Sequence, residues 1–220
     1  GVISGIAPGC NLIMVKVLDR KGNGYSSDVL AGISWVLERK EQLGIRILNI
    51  SVGACSKRGM SENSALVKGV NRAWDAGLVV VVAAGNNGPR TMSITTPGIS
   101  RKVITVGCSD DDREVLVGGN RMVDYSGRGP TAACICKPDL VAPGCSVVSC
   151  SSRADKYTIK SGTSMSTPIV SGAVALLLER FPDMSNKDVK LRLRESSVDI
   201  GLPRNQQGWG LLNVEKMIGK

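Results

Sequence analysis

The sequence predicts an α/β fold of three layers, with helices on both faces of a mostly parallel sheet. Two observations predict it. Short, nearly continuous apolar runs recur, of strand length rather than helix length. Amphipathic stretches at helical spacing separate them. Strands that read as unbroken apolar runs belong to sheets buried on both faces. Helices between such strands make βαβ units, with right-handed crossovers.

Each element follows from its residues. Leu12 to Leu18 is an apolar run with one lysine, read as a buried strand. Ser26, Ser27 and Asp28 offer N-caps to a helix carrying Val29, Leu30, Ile33, Val36 and Leu37, and Gly44 stops it. Ile45, Ile47, Leu48 and Ile50 mark the next strand. Ser61 or Asn63 is expected to cap a second helix through Leu66, Val67, Val70 and Trp74, ended by Gly77. Leu78 to Ala84 follows with four consecutive valines. The stretch from 86 to 150 is richer in turns and short strands; Val103 to Val106 reads as a sheet strand. From Ser164 an apolar helix runs to just before Pro182, with Pro168 tolerated in its first turns. Ser185 to Asp188 resembles a capping box for a helix through Leu193, and a short helix follows Asn213. There is no repeat, low-complexity segment or linker, so 1–220 reads as a single domain.

Composition excludes several functions. At 220 residues with 42% hydrophobic and 21% charged residues, the chain has material for a core. No apolar run reaches the length of a membrane span, and no membrane partner is expected. The opening Gly1-Val2-Ile3-Ser4-Gly5 carries no secretory leader pattern and reads as the start of a processed product. A net charge of +9 invites a nucleic-acid reading, but aromatics are 3% and the basic residues are dispersed, so no nucleic acid is expected. There is no histidine, which removes His-ligated metals and the commonest general base. Seven cysteines with no C-x-x-C pair suggest free thiols in a reducing compartment. Cys134 and Cys136 would share one face of an extended strand. Asp110-Asp111-Asp112 reads as a solvated turn.

The chemistry concentrates in two stretches. Gly162-Thr163-Ser164-Met165-Ser166-Thr167-Pro168 places a serine at a turn into a long buried helix. There its Oγ and amide would meet the helix N-terminus, where developing negative charge is favoured. An ordinary Ser/Thr N-cap fits the same residues. Ala83-Ala84-Gly85-Asn86-Asn87-Gly88-Pro89 ends the valine strand, and sites in open α/β sheets form beyond such strand ends. An Asn there offers a side-chain N–H₂, the second donor of an oxyanion hole; a plain Asn-Gly turn is the alternative.

Together these motifs resemble the subtilases, the subtilisin-like serine endopeptidases. Gly5-Ile6-Ala7-Pro8, Val15-Lys16-Val17-Leu18, Ile47 to Gly53, Thr96-Pro97-Gly98 and Lys137 to Gly144 agree, in the family's order. Ile169 stands where many members have His. Trp35-Val36-Leu37-Glu38 followed by Gly44 to Asn49 looks most like the cytoplasmic-type bacterial alkaline proteases, which with the cysteines favours a cytoplasmic over a secreted location. The resemblance implies Ser164 as nucleophile and Asn86 as oxyanion donor beside the Ser164 amide. It implies that Gly22-Asn23-Gly24 and Ser51-Val52-Gly53 pair with an extended polypeptide substrate. It makes Ala84 and Gly85 walls of the pocket for the residue before the scissile bond, with room expected for a large apolar side chain. Pro97 matches a position often cis, and Met165 would make the site peroxide-sensitive. No cofactor is implied as required, and no metal ligand is assigned; structural calcium is common in the family, but its usual loop is not recognisable.

The family also uses an Asp on an earlier strand and a His on the following helix. Neither motif is in this chain, so the fold is expected to lack the N-terminal strands and the His helix. The resemblance places the Asp strand between those matching 12–18 and 45–51. The implied reading is the C-terminal portion of a protease catalytic domain, inactive alone, with the missing N-terminal segment as partner. A non-catalytic, peptide-binding relative is the alternative.

Overall fold

The computed structural model describes residues 3–54, 61–152 and 156–219. In chain order the elements are α1 (Ser26–Arg39), β1 (Ile47–Ile50), α2 (Ala65–Asp75), β2 (Val79–Ala83), β3 (Ile104–Cys108), β4 (Val115–Val117), β5 (Asn120–Met122), β6 (Leu140–Ala142), β7 (Val147–Cys150), β8 (Tyr157–Lys160), α3 (Thr163–Arg180), α4 (Asn186–Ser196), α5 (Arg204–Gln207) and α6 (Val214–Ile218). Among the described residues the main sheet has the order β1-β2-β3-β6, every neighbouring pair parallel. Two antiparallel ribbons, β4-β5 and β7-β8, stand outside it.

Every residue of β2, β3 and β6 is buried, as a sheet covered on both faces requires. Helix α3 crosses all four strands, α2 packs on β2, and α1 packs on α2. The core they share includes Ile33, Val70, Val80, Val82, Val174 and Leu177. This is the α/β, mostly parallel architecture that the alternating pattern predicts. No helix among the described residues is long and apolar enough to cross a membrane.

Several local expectations change. Helix α2 is capped by Ser64, whose Oγ accepts the Val67 N–H at 3.3 Å, rather than by Ser61 or Asn63. Helix α1 starts after Tyr25, and the Asp28 carboxylate reaches back to the Tyr25 N–H at 3.1 Å. The box predicted for α4 forms: Ser185 accepts from the Asp188 N–H and Asp188 from the Ser185 N–H.

The largest departure is Leu12 to Leu18, which forms no strand. Val15 and Val17 do pack on Gly32 of α1, but Leu12 and Met14 are 82% and 90% exposed. A strand needs a neighbour for its amides and carbonyls. Between this segment and β1 lies a groove of about 320 Å³, lined by Met14, Val15, Val17, Ile33, Ile50 and Val52 among others. Among the described residues, β1 pairs with no strand on its outer edge.

Asp110 and Asp111 are not a solvated turn. Asp110 Oδ1 accepts the Gly144 and Cys145 amides at 2.8 and 3.1 Å. Asp111 is 4% exposed and accepts the Ser126 N–H at 2.7 Å, and its burial raises its carboxyl above the usual range. Cys134 and Cys136 do not share a strand face: Cys134 sits in a turn with φ of 56°, closed by its N–H on the Thr131 carbonyl. The six described cysteines are free thiols; Cys55 lies outside the described residues.

Candidate active site

Ser164 is the second residue of α3, so its amide has no partner within the helix. Gly162 precedes the helix with φ of 139°, a conformation that disfavours any side chain. A Cβ there would also stand 3.2 Å from Asn86 Nδ2. Both constraints explain a glycine one residue before the Thr163-Ser164 pair.

The loop after β2 meets this helix start directly. Asn86 Oδ1 accepts the Thr163 N–H and the Thr163 hydroxyl, each at 3.0 Å. The same Thr163 hydroxyl accepts the Gly85 N–H at 3.1 Å. A backbone N–H can face only an amide oxygen, so these bonds fix which way the Asn86 amide points. Its Nδ2 is thereby aimed to the other side, next to Gly162. Sequence reasoning missed Thr163 as the positioning group; its place between Gly162 and Ser164 in the motif was the available signal.

The Ser164 hydroxyl donates to the carbonyl of Ser51, just beyond β1, at 2.8 Å. The carboxyl ends of β1 and β2 and the N-terminus of α3 therefore converge on Ser164, Asn86 and Ser51. The Asp110 bonds to the Gly144 loop support this point from below. The Gly144 carbonyl accepts the Gly162 N–H at 2.9 Å and the Tyr125 hydroxyl at 3.2 Å.

Val52 and Gly53 continue from Ser51, and Ala54 pairs with Thr96 in both directions. Gly53 and Gly85 both lie against the Thr95 side chain. The Thr95 N–H donates to the Ala84 carbonyl at 2.8 Å. The Thr96–Pro97 bond is cis. Gly22, Asn23 and Gly24 are exposed in a turn held by Asp19, which accepts the Lys21 and Asn23 N–H groups. These bonds hold the Asp19 carboxyl below its usual range. Among the described residues, no hydrogen bond joins this turn to Ser164, Asn86 or Ser51. Lys160, on β8, is exposed and pairs across the ribbon with Val147.

Comparisons with known proteins agree with this geometry. A model of the subtilase family matches residues 1–210. Serine protease AprX of Bacillus subtilis is 39% identical over 214 residues, covering 90% of this chain and 48% of that protein. Subtilisin DY of Bacillus licheniformis is 34% identical over 215 residues, covering 97% of this chain and 70% of that protein. This chain thus spans about half the length of the first of these relatives. Among solved structures, Sphericase superposes with a TM-score of 0.80 at 31% identity, covering 96% of this chain and 71% of that one. With the Ser164 and Asn86 motifs in one cleft and the match running through both, the chain belongs to the subtilase family of serine proteases.

Proposed function

We propose that this chain carries the nucleophile, oxyanion hole and substrate cleft of a serine endopeptidase. Ser164 Oγ attacks the peptide carbonyl. The Ser164 amide and Asn86 Nδ2 receive the oxyanion that forms, aided by the α3 N-terminus. Ser51-Val52-Gly53 and Gly22-Asn23-Gly24 pair with an extended polypeptide, and Ala84 with Gly85 walls the pocket for the residue before the scissile bond. The observation that carries this reading is the clamp of Thr163 on Asn86 Oδ1, which presents an amide donor beside a serine at a helix start.

The chain has no histidine to act as base. Its one domain, 1–220, is proposed to work as the C-terminal portion of a catalytic domain whose Asp and His come from an N-terminal segment outside this chain. The groove beside β1 supports this: it is open along a strand edge and lined by apolar side chains on both walls. The isolated chain is then inactive. Loss of the base alone costs on the order of a million-fold in turnover, a magnitude known from subtilisin, a relative of this chain. The proposed chemistry uses no cofactor. The six free thiols among the described residues favour a reducing, cytoplasmic location.

The second reading is a non-catalytic peptide-binding relative. The bond from the Ser164 hydroxyl to a carbonyl, which is no base, favours it. Labelling with a fluorophosphonate separates the two. Labelling of Ser164 only after the Asp- and His-bearing segment is joined to the chain supports the protease. No labelling of the folded, joined protein supports the binding relative.

A further inference from the structure

The helix that carries Ser164 is tied to the strand end that carries Ser51 at a second point. Ser171 follows Ser164 on α3 by about two turns, so both hydroxyls face β1. The Ser171 hydroxyl carries one proton and has two acceptors in reach. They are Asn49 Oδ1 at 2.8 Å and the Thr167 carbonyl of its own helix at 3.2 Å. The shorter bond is the one that leaves the helix. With its Oδ1 turned to α3, the Asn49 amide points Nδ2 along the strand, where it donates to Ser51 Oγ at 3.0 Å.

Asn49 is an exception in its strand. β1 reads Ile47-Leu48-Asn49-Ile50, and asparagine is disfavoured in strands. It also lines the groove beside β1, whose other walls are mostly apolar. Its two bonds close a ring. Ser164 bonds the Ser51 carbonyl, Asn49 bonds Ser51 Oγ and Ser171, and α3 itself links Ser171 back to Ser164. One bond leaves a helix free to pivot on a strand; two bonds separated along the helix hold its register.

The ring matters when Ser164 reacts. In the proposed mechanism Ser164 gives up its proton and Ser51 offers its carbonyl to the peptide, so the direct bond between them is broken. The bridge through Asn49 uses neither group: it holds Ser51 by its hydroxyl oxygen and α3 by Ser171. We propose that Asn49, acting with Ser171, is a positioning residue that keeps Ser164 in register with the peptide-pairing segment once Ser164 has let go of Ser51. This rests on the reading of Ser164 as nucleophile and Ser51 as a peptide-pairing residue. A segment filling the groove covers Asn49 and excludes the water that competes for its bonds, so the bridge is strongest in the joined protein. A misplacement of about 1 Å can cost about 10²-fold in rate, which is the scale on which such a bridge acts.

The test uses the chain joined to its Asp- and His-bearing segment. Its readouts are steady-state cleavage of one peptide substrate, the rate of fluorophosphonate labelling, and the urea unfolding midpoint. Asn49→Ala and Ser171→Ala should each lower kcat and the labelling rate about ten-fold, with KM and the midpoint nearly unchanged. The double variant should be no slower than the slower single one, since both cut the same bridge. Ser171→Thr keeps the hydroxyl and should restore kcat to near the parent value. Ser171 lies outside the groove lining, and alanine is well accepted in a helix, so Ser171→Ala carries the test if Asn49→Ala does not fold. An unchanged kcat in folded Ser171→Ala, a loss that Ser171→Thr shares, or a rise in KM alone overturns the role of Asn49 while leaving the protease reading intact. A folded, joined parent that neither labels nor cleaves overturns the protease reading, and the role of Asn49 with it.

Discussion

Ser164 and Ser51, 113 positions apart in sequence, are joined by a hydrogen bond of 2.8 Å from hydroxyl to carbonyl. Ser51 belongs to the segment proposed to pair with an extended peptide, so the serine and the peptide compete for one carbonyl. Ser164→Ala removes the competitor. A net hydrogen bond is worth about 0.5–1.5 kcal/mol, so the variant is expected to bind an extended tetrapeptide about two- to ten-fold more tightly than the parent chain. Calorimetric titration of both forms checks this, and weaker binding by the variant would count against the competition.

Asn86 is held by two bonds from Thr163, and its amide is the proposed second oxyanion donor. In the protein joined to its Asp- and His-bearing segment, Asn86→Ala should lower kcat by about 10²–10³, a range taken from the corresponding asparagine of subtilisin, with KM little changed. Thr163→Val leaves the N–H bond to Asn86 and loses the hydroxyl bonds, so its fall in kcat should be smaller. Steady-state kinetics on one peptide substrate would show the order, and a Thr163→Val loss exceeding that of Asn86→Ala would contradict it.

Asp139 neutralises a buried lysine. Its Oδ2 accepts Lys137 Nζ at 2.5 Å and the Thr105 N–H at 2.7 Å, while Lys190 approaches Oδ1 at 3.5 Å. Lys137 is 1% exposed, and burial pulls its ammonium down to about 8 despite the pairing. Removing one partner of a buried pair typically costs about 3–5 kcal/mol, because the other charge is left uncompensated. Asp139→Asn should lower stability by that amount in urea unfolding. A loss below about 1 kcal/mol would mean that Lys137 finds another partner or loses its proton.

Cys108 should be inert where its exposed counterparts react. Burial pushes its thiol up to about 12 from 9.0, so the reactive thiolate is scarce in the folded state. A maleimide at pH 8 should modify Cys10, Cys134, Cys136 and Cys150, which are exposed, and spare Cys108 until the chain unfolds. The linkage has a definite sign. A folded-state value above the unfolded one gives stability that is full below pH 9 and lost as pH rises from about 9 towards about 12. Cys108→Ser should make the alkaline fall in stability shallower, and an unchanged slope would exclude this thiol as a contributor.

Periodicity and composition determined the class of this fold. The valines of β2 could be nothing but a strand buried on both faces, and the apolar spacing of α3 gave its extent. The Gly162–Ser164 and Ala83–Asn86 motifs marked the candidate site, because backbone conformation at a helix start and a strand end is a local property. The Leu12–Leu18 run was read as a strand on the same local grounds, and there the structure differs. Pairing is a relation between segments, and β1 stands across an unfilled groove from it. Thr163 as the clamp on Asn86, Thr95 between Gly53 and Gly85, and Asp110 beneath the Gly144 loop were likewise invisible in sequence. Each acts on residues between 10 and 77 positions away, and only close packing sets which side chain fills which space. The sequence determined which residues stand at the strand ends; the tertiary structure decided which side chains pack beside them.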